Sequence, residues 1–337
     1  MILQRFYNAW HSFFFRPQSP LPIALFRILY GICVSVTLIL LYPDWLEWFG
    51  PHAWFSLQTM QSIEPGVRLN LFTLLPASDH WITGFFWFSL AFAVLLTVGL
   101  WTRISSIVVF LCVVSIQQRA LFITHGGDKF LRAAGFFLIF APAGAALSLD
   151  RLIRVRRKRE GPEIEARAPW AQRMIQFELA FLYFTSFLWK LRGHTWLDGT
   201  ALFYVLHLHE IRRFPLPSWL QNAVVSKLVC WFTLALEFSL GTLIWFRRYR
   251  YYLLLSGLLF HLCLEYSLNT PMFQWDILTA YVLFIDPEDL RRAGGSVLRR
   301  VAPSYFSTHT PMAVTHLRKA MGESEWFNCP TSKQQNA

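Results

Sequence analysis

Residues 21–42 read Leu-Pro-Ile-Ala-Leu-Phe-Arg-Ile-Leu-Tyr-Gly-Ile-Cys-Val-Ser-Val-Thr-Leu-Ile-Leu-Leu-Tyr, an apolar run interrupted by a single charge at Arg27. A helix needs about 20 predominantly apolar residues to cross the hydrocarbon core of a bilayer. This run meets that length, so the sequence predicts a transmembrane helix here.

The composition of the whole chain agrees with this first stretch. Of the 337 residues, 55% are hydrophobic and 15% are charged, whereas soluble domains are about 45–50% apolar and about 25% charged. The mean hydropathy is +0.37. These values exclude a disordered chain and a large soluble domain. The five cysteines are scattered without a paired spacing, which is typical of packing rather than of disulfides.

Seven further apolar runs follow the first one. The predicted fold is therefore all-α, a polytopic membrane helical bundle of about eight transmembrane helices. We expect residues 1–20 to form an interfacial N-terminal helix, residues 21–290 the transmembrane domain, and residues 291–337 a polar cytoplasmic tail. The predicted spans are residues 21–42, 81–101, 104–123, 130–147, 170–189, 223–246, 251–268 and 273–285.

The distribution of positive charge predicts the orientation of these spans. With the N-terminus inside, 21 of the 31 Lys and Arg residues fall on inner segments and 7 on outer segments, as expected when positive charge is retained in the cytoplasm. The basic run at residues 154–159 is the strongest such signal. The sequence thus predicts an integral multi-pass protein of the cell (inner) membrane with both termini cytoplasmic. The same asymmetry explains the net charge of +11 without a nucleic-acid partner.

The charged residues within the predicted spans need an explanation, because each charge in a bilayer costs at least a few kcal/mol. Arg27 lies about one and a half turns inside the first span. We expect it to snorkel to the cytoplasmic surface or to form an interior ion pair. Glu178 and Glu237 lie near the middle of their spans, where they would pair with Arg119 or Arg132 or be protonated.

The densest group of polar side chains follows the fifth span, in the outer segment 183–201. Lys190 closes the span close to Arg192 and Trp196. Apolar surroundings and a neighbouring cation both disfavour the ammonium form and would make a neutral amine available as a base. The alternative is an interfacial anchor, because a Lys after a span is common in a belt of Trp residues.

The seventh span contains a pair of polar residues at helical spacing. His261 and Glu265 are four residues apart and therefore share one helical face. A lone histidine in a span is most often a packing group. Gln274 and Asp276 begin the eighth span after a short connection, so they are expected to lie over the outer end of the seventh.

Residues 124–129 read Thr-His-Gly-Gly-Asp-Lys in a short outer loop. The two glycines allow the backbone to approach a ligand closely, so His125 and Asp128 are predicted to line a binding site. The other outer histidines lack a third ligand at the spacing of a zinc site. His207 and His209 would share a face only in a strand, and no metal site is predicted.

Four stretches, in this order, resemble the horizontally transferred transmembrane (HTTM) family, which includes the membrane domain of vitamin K-dependent gamma-carboxylase. The resemblance covers about residues 20–290. The stretches are Ala-Leu-Phe-Arg-Ile-Leu-Tyr-Gly at 24–31, His-Gly-Gly-Asp at 125–128, the segment 183–201 with its Lys-Leu, Trp and Asp-Gly, and Leu-Phe-His at 259–261 leading to Phe-Ile-Asp-Pro-Glu-Asp-Leu at 284–290.

The resemblance implies a chemistry. In the family's carboxylases, a lumenal lysine deprotonates reduced vitamin K, whose reaction with oxygen generates the base that takes a proton from a glutamate side chain. Lys190 falls on the family's Lys-Leu position and His261 on its seventh-span histidine. These two residues are the predicted catalytic pair, with His261 orienting a quinone oxygen. The residues predicted to bind the cofactor, a reduced quinone such as vitamin K, are His125, Asp128, Arg192 and Trp196.

Two interpretations remain open. The first is a gamma-glutamyl carboxylase-like lyase with an outer pocket lined by Lys190 and His261. Because the carboxylases continue into a large extramembrane domain and only about fifty mostly polar residues follow the last span here, this interpretation expects a separate protein substrate or partner. The second is a non-catalytic export or immunity accessory, or a small-solute transporter, in which Lys190 is salt-bridged or faces lipid and no enclosed pocket exists.

Overall fold

The structure, a computed structural model, describes residues 2–63, 69–161, 163–215 and 217–301. Over these ranges the chain is all-α, as predicted, and contains no β-strand. The extended pairings that occur there are two isolated bridges, Gln18 with Arg167 and Arg212 with Leu268.

Fifteen α-helices follow one another along the described residues. They are α1 (Ile2–Phe15), α2 (Leu21–Leu41), α3 (Trp45–Phe49), α4 (Leu57–Ile63), α5 (Asp79–Val98), α6 (Thr102–Arg119), α7 (Gly126–Phe140), α8 (Leu149–Arg156), α9 (Trp170–Leu191), α10 (His194–Asp198), α11 (Ala201–Leu206), α12 (Ala223–Thr242), α13 (Arg247–Ser267), α14 (Phe273–Thr279) and α15 (Pro287–Val301). Six short 3₁₀ helices accompany them, at Leu71–Leu74, Leu121–Ile123, His209–Ile211, Ser218–Gln221, Leu243–Trp245 and Ala280–Phe284.

Each of the eight predicted apolar runs coincides with a helix, namely α2, α5, α6, α7, α9, α12, α13 and α14 with its 3₁₀ extension. The fourth run is the one that ends early, because α7 stops at Phe140. Pro142 follows two residues later, and the residue before a proline is driven out of the helical region. The remainder of that run forms turns.

Three helices are long and apolar enough to cross a membrane, namely Leu21–Leu41, Asp79–Val98 and Ala223–Trp245. The other predicted spans in the described chain are shorter or more polar. For example, α7 has 15 residues and α14 has 7. By length and composition, the membrane character of the bundle therefore rests on α2, α5 and α12.

The long helices pack in pairs. Helix α2 lies along α5, α9 lies along α12, and α7 packs against both α6 and α9. The contact of α2 with α5 is close at Gly31, where a Cβ atom would lie 3.0 Å from the amide nitrogen of Thr97 and 3.1 Å from the carbonyl oxygen of Ala93. Helix α14 packs against α7 and α2, which brings the start of α14 to the start of α7.

Arg27 is fully buried between α2, the end of α5 and the turns that follow α7. Its guanidinium donates to the carbonyl oxygens of Ala143 at 3.0 Å, Leu147 at 2.6 Å and Thr97 at 3.4 Å. The expectation that Arg27 snorkels to the surface is therefore wrong. The turns after α7 leave carbonyl groups without helical donors, and buried carbonyls need a partner, which the guanidinium provides.

The chain divides into two units, residues 1–287 and residues 288–337. In the second unit, the described residues continue α15 to Val301, so the helix covers the first part of the predicted polar tail. Glu288 and Asp289 lie in the first turn of this helix, where acidic side chains complement the helix dipole. The rest of the predicted tail, residues 302–337, lies outside the described residues.

Candidate functional site

Lys190 lies in the last turn of α9 and forms an ion pair with α12. Its Nζ donates to Glu237 Oε1 at 2.7 Å and to Ser186 Oγ, one turn earlier in α9, at 2.6 Å. The side chain of Glu237 is 6% exposed and that of Lys190 is 22% exposed. The ammonium of Lys190 is therefore neutralised by a carboxylate in a partly buried place.

This pair differs from the pairing expected for Glu237, which was Arg119 or Arg132. The helix contact of α9 with α12 brings Lys190 to Glu237 instead. A base needs a free lone pair, whereas the hydrogens of Nζ point at two acceptors in this geometry. The non-catalytic interpretation expects Lys190 to be salt-bridged, and the structure shows Lys190 in a salt bridge.

The other predicted residues of this segment surround the pair. The ring of Trp196, in α10, lies 5.1 Å from Nζ of Lys190, and Arg192 lies 5.2 Å over the ring of Trp189. Such contacts of a cation with an aromatic face are attractive.

At the end of α10, Thr200 donates two hydrogen bonds to Asp198, and these bonds lower the pKa of the Asp198 carboxyl.

His261, in α13, is 3% exposed and belongs to a hydrogen-bonded chain of four side chains. Its Nδ1 lies 2.5 Å from Gln274 Oε1, and its Nε2 lies 2.6 Å from the hydroxyl of Tyr183. The Tyr183 hydroxyl lies 2.7 Å from that of Tyr281. Because the amide oxygen accepts, Nδ1 carries the hydrogen, Nε2 accepts from Tyr183, and Tyr183 accepts from Tyr281.

The ion pair of Lys190 with Glu237 and the hydrogen-bonded series around His261 both involve side chains on one face of α9. Tyr183, Ser186 and Lys190 are spaced three and four residues apart, which places them in one line along a helix. The two predicted catalytic residues thus contact one polar line. The hydrogen bond of Gln274 with His261 shows that the start of α14 packs against α13. Glu265, the helical neighbour of His261, binds Arg213 instead.

His125 is held at the N-terminus of α7 by a capping box. Its Nδ1 accepts from the amides of Gly127 at 3.1 Å and Asp128 at 3.3 Å, and Asp128 Oδ2 accepts from the His125 amide at 2.9 Å. The other ring nitrogen, Nε2, lies 2.9 Å from the carbonyl oxygen of Pro271. Gln117, from α6, donates to the Asp128 carbonyl at 2.8 Å.

A cavity of about 410 Å³ opens beside this turn. Its wall is mainly apolar and comes from α2, α6, α7 and the segment before α14, with polar residues that include Thr37, Gln117, His125 and Asp128. Of the six predicted site residues, the described lining contains His125 and Asp128 but not the other four. This cavity is therefore distinct from the predicted pocket that joins Lys190 to His261.

Asp276, in α14, lies against the same turn from the side of the protein interior. One donor atom each from His125, Asp128 and Asp276 fall within 4.8 Å of one another. A Cβ atom on Gly127 would lie 3.0 Å from Asp276 Oδ2, so the glycine permits this close approach.

Sequence reasoning missed most partners of these residues. The pairing of Lys190 with Glu237 and the contact of Gln117 with Asp128 join different helices. The positions of these residues in the sequence do not indicate that they are in contact. Ser186 was detectable, because it precedes Lys190 by one helical turn. Tyr183 and Tyr281 were not distinguishable from the other aromatic residues of the spans.

A bundle of apolar helices with buried polar chains and an apolar cavity is the architecture of a helical membrane protein. The HTTM domain matches residues 15–288, and the chain belongs to the HTTM domain family. This confirms the family that the four sequence stretches resembled. Neither a curated protein nor a solved structure matches the chain.

Proposed function

We propose that this chain is a multi-pass membrane protein that binds a lipid-soluble molecule with a polar head, of the reduced quinone class, in the cavity beside His125 and Asp128. The cavity is the observation that carries the proposal. Ligand sites are typically about 300–1,000 Å³, mainly apolar, and contain a few convergent polar groups. The volume of about 410 Å³ and the polar residues at the α7 turn fit that description.

The polar groups of the cavity suit a hydroxylated head group. Among the cavity residues, Gln117 Oε1 and Thr37 Oγ1 are buried and have no hydrogen-bond partner in the described chain. Buried polar atoms normally find a partner. A reduced quinone such as vitamin K hydroquinone carries two hydroxyl donors on an apolar body, so it would satisfy such acceptors and fill the apolar wall.

The topology within this proposal has eight spans with both termini cytoplasmic, in the cell (inner) membrane. Contacts between connecting segments support it, because they join segments that the charge pattern assigns to one side. Gln18 pairs with Arg167 between two predicted inner segments, with both hydrogen bonds at 2.8 Å. His125 contacts Pro271 between two predicted outer segments.

Cysteine labelling tests this topology. A membrane-impermeant maleimide applied to intact cells should label His194→Cys and spare Arg156→Cys, with the unmodified chain as the background for native cysteines. Labelling of both positions from the same side would contradict the alternating arrangement.

Carboxylase-like chemistry with Lys190 as the base is the finer form of the proposal. It requires the head group of the hydroquinone to reach Lys190, which lies outside the described lining of the cavity. The polar line of Tyr183, Ser186 and Lys190 favours this chemistry, because it places Lys190 on the same face of α9 as the hydroxyl group that binds His261. Transfer of one proton from Lys190 to Glu237 would leave both groups neutral and free the lone pair of Nζ. In this form Arg192 and Trp196 flank the pair, and a separate protein would supply the glutamate substrate.

A non-catalytic accessory or small-solute transporter is the second candidate. The Lys190–Glu237 ion pair favours it, since an ion pair also serves a purely structural role. Lys190→Ala distinguishes the two candidates. If Lys190 is the base, this variant loses activity or phenotype while it remains folded, inserted and bound to the co-purifying ligand. A fully functional Lys190→Ala removes the lysine from the chemistry.

Mass spectrometry of lipid-soluble molecules that co-purify with the protein in mild detergent tests the binding proposal. We expect a quinone at near-stoichiometric amounts in the wild type and its loss in Thr37→Trp, which fills the cavity. Val36→Trp is the matched control, because Val36 neighbours Thr37 on α2 but is exposed and lies outside the cavity lining. The absence of any quinone from the wild type, or equal retention in both variants, would contradict the proposal.

A further inference from the structure

We propose that His125, Asp128 and Asp276 bind a divalent first-row transition-metal ion at the start of α7. The three side chains offer one imidazole nitrogen and two carboxylate oxygens within 4.8 Å of one another. This donor set suits an ion that accepts both nitrogen and oxygen ligands, such as Mn²⁺ or Zn²⁺. The inference does not depend on what fills the cavity.

Asp276 supplies the observation that points to a ligand. The residue is fully buried, and neither Oδ1 nor Oδ2 has a hydrogen-bond partner among the described residues. A buried carboxylate without a partner pays a large desolvation cost. Among the described residues, no Lys or Arg forms an ion pair with Asp276. A cation between Asp276 and the α7 turn would satisfy these two oxygens.

The hydrogen bonds of His125 prepare it to bind a metal ion. The carbonyl oxygen of Pro271 can only accept, so Nε2 carries the hydrogen and Nδ1 presents its lone pair. Histidines that bind metals usually donate their other ring nitrogen to a carbonyl or carboxylate in this way. The two amide contacts that Nδ1 now accepts are long, at 3.1 and 3.3 Å, and the metal ion would replace them.

Charge and size also agree with a divalent ion. Two carboxylates balance its charge, which matters in a buried place where an uncompensated charge is expensive. With metal–ligand bonds of about 2.1 Å, donor atoms around a tetrahedral ion lie roughly 3.4 Å apart. The donor atoms lie within 4.8 Å of one another, so the side chains would need to close by at most about 1.4 Å. Three protein ligands leave a coordination position open for water or a ligand oxygen.

The test uses the full-length protein in detergent, stripped with EDTA, desalted and titrated with MnCl₂. Free Mn²⁺ is measured by electron paramagnetic resonance. We expect one Mn²⁺ per chain, displaced by Zn²⁺, which binds such sites more tightly. In Asp276→Asn the affinity should fall by at least about tenfold, since even the loss of a supporting contact costs that much.

Two further variants keep the test decisive. Asp128→Asn should lose Mn²⁺ as well, and it reports on the site if Asp276→Asn does not fold. Glu178→Gln is the matched control, because Glu178 also has a buried carboxylate oxygen without a partner but lies outside the cluster. A wild type that binds no Mn²⁺, or a Glu178→Gln variant that loses as much affinity as the two aspartate variants, would overturn the proposal.

Discussion

The ion pair of Lys190 with Glu237 predicts an asymmetric response to mutation. Lys190→Met leaves a carboxylate that is 6% exposed; its Oε1 keeps the hydrogen bond from Ser186 at 3.1 Å, and its Oε2 already lacks a partner among the described residues. Glu237→Gln leaves an ammonium that is 22% exposed and still bound to Ser186. The lysine variant therefore loses more stability, because its remaining charge has less access to water.

The magnitudes follow from this difference in burial. Removing one partner of a fully buried pair costs about 3–5 kcal/mol, whereas exposed pairs contribute about 0–1 kcal/mol. We expect about 3 kcal/mol for Lys190→Met and about 1 kcal/mol for Glu237→Gln. The double variant has no unpaired charge, so it should recover about 1–2 kcal/mol relative to the sum of the single variants.

Thermal unfolding in detergent micelles measures these changes. A maleimide dye that becomes fluorescent on reaction with thiols reports exposure of Cys33, Cys112 and Cys230, which are buried in the fold. At roughly 2 °C per kcal/mol, Tm should fall by about 6 °C for Lys190→Met and by about 2 °C for Glu237→Gln. A larger loss for Glu237→Gln, or strict additivity in the double variant, would refute the reasoning.

Two further changes test the packing of α2 in the same assay. Arg27→Met should destabilise the fold by at least about 3 kcal/mol, because it leaves three carbonyl groups without their charged donor, and Arg27→Lys should lie between this variant and the wild type. An unchanged Tm for Arg27→Met would contradict the capping role. Gly31→Ala should cost about 1–3 kcal/mol through overpacking against α5. Gly84→Ala is its control, because a Cβ atom there meets nothing within 4 Å, and it should be neutral or slightly stabilising since Ala favours helices. Equal effects of the two alanines would show that the close approach of α2 to α5 does not matter.

Short helices such as α3, α8 and α10 lie outside the predicted apolar runs, whereas the eight helices that coincide with those runs were predictable from the sequence. The exception is the end of α7, where Pro142 interrupts a run that remains apolar beyond it. Hydropathy alone reads such a stretch as continuous, since it measures transfer to lipid and not backbone conformation. The position of the break was nevertheless encoded in the proline.

The candidate site was less predictable. His125 and Asp128 were detectable as a local motif, because both belong to one turn with two glycines. The partner of Lys190 was not, because two arginines and two glutamates offered several pairings of similar cost and only the packing of α9 on α12 selects among them. Arg27 was misplaced for a related reason: its partners are main-chain carbonyls, and side-chain patterns do not reveal which carbonyls a turn leaves free.

The hydrogen-bonded series of Tyr281, Tyr183, His261 and Gln274 has a consequence for the movement of protons. It begins at the Tyr281 hydroxyl and ends at the amide of Gln274, a group that neither takes up nor releases a proton near neutral pH. A proton entering at the tyrosine end has nowhere to leave, so the series cannot conduct charge through the bundle. It instead fixes the direction of each O–H and N–H bond. All of the donors point the same way along the series, from Tyr281 towards Gln274, where α9, α13 and α14 meet.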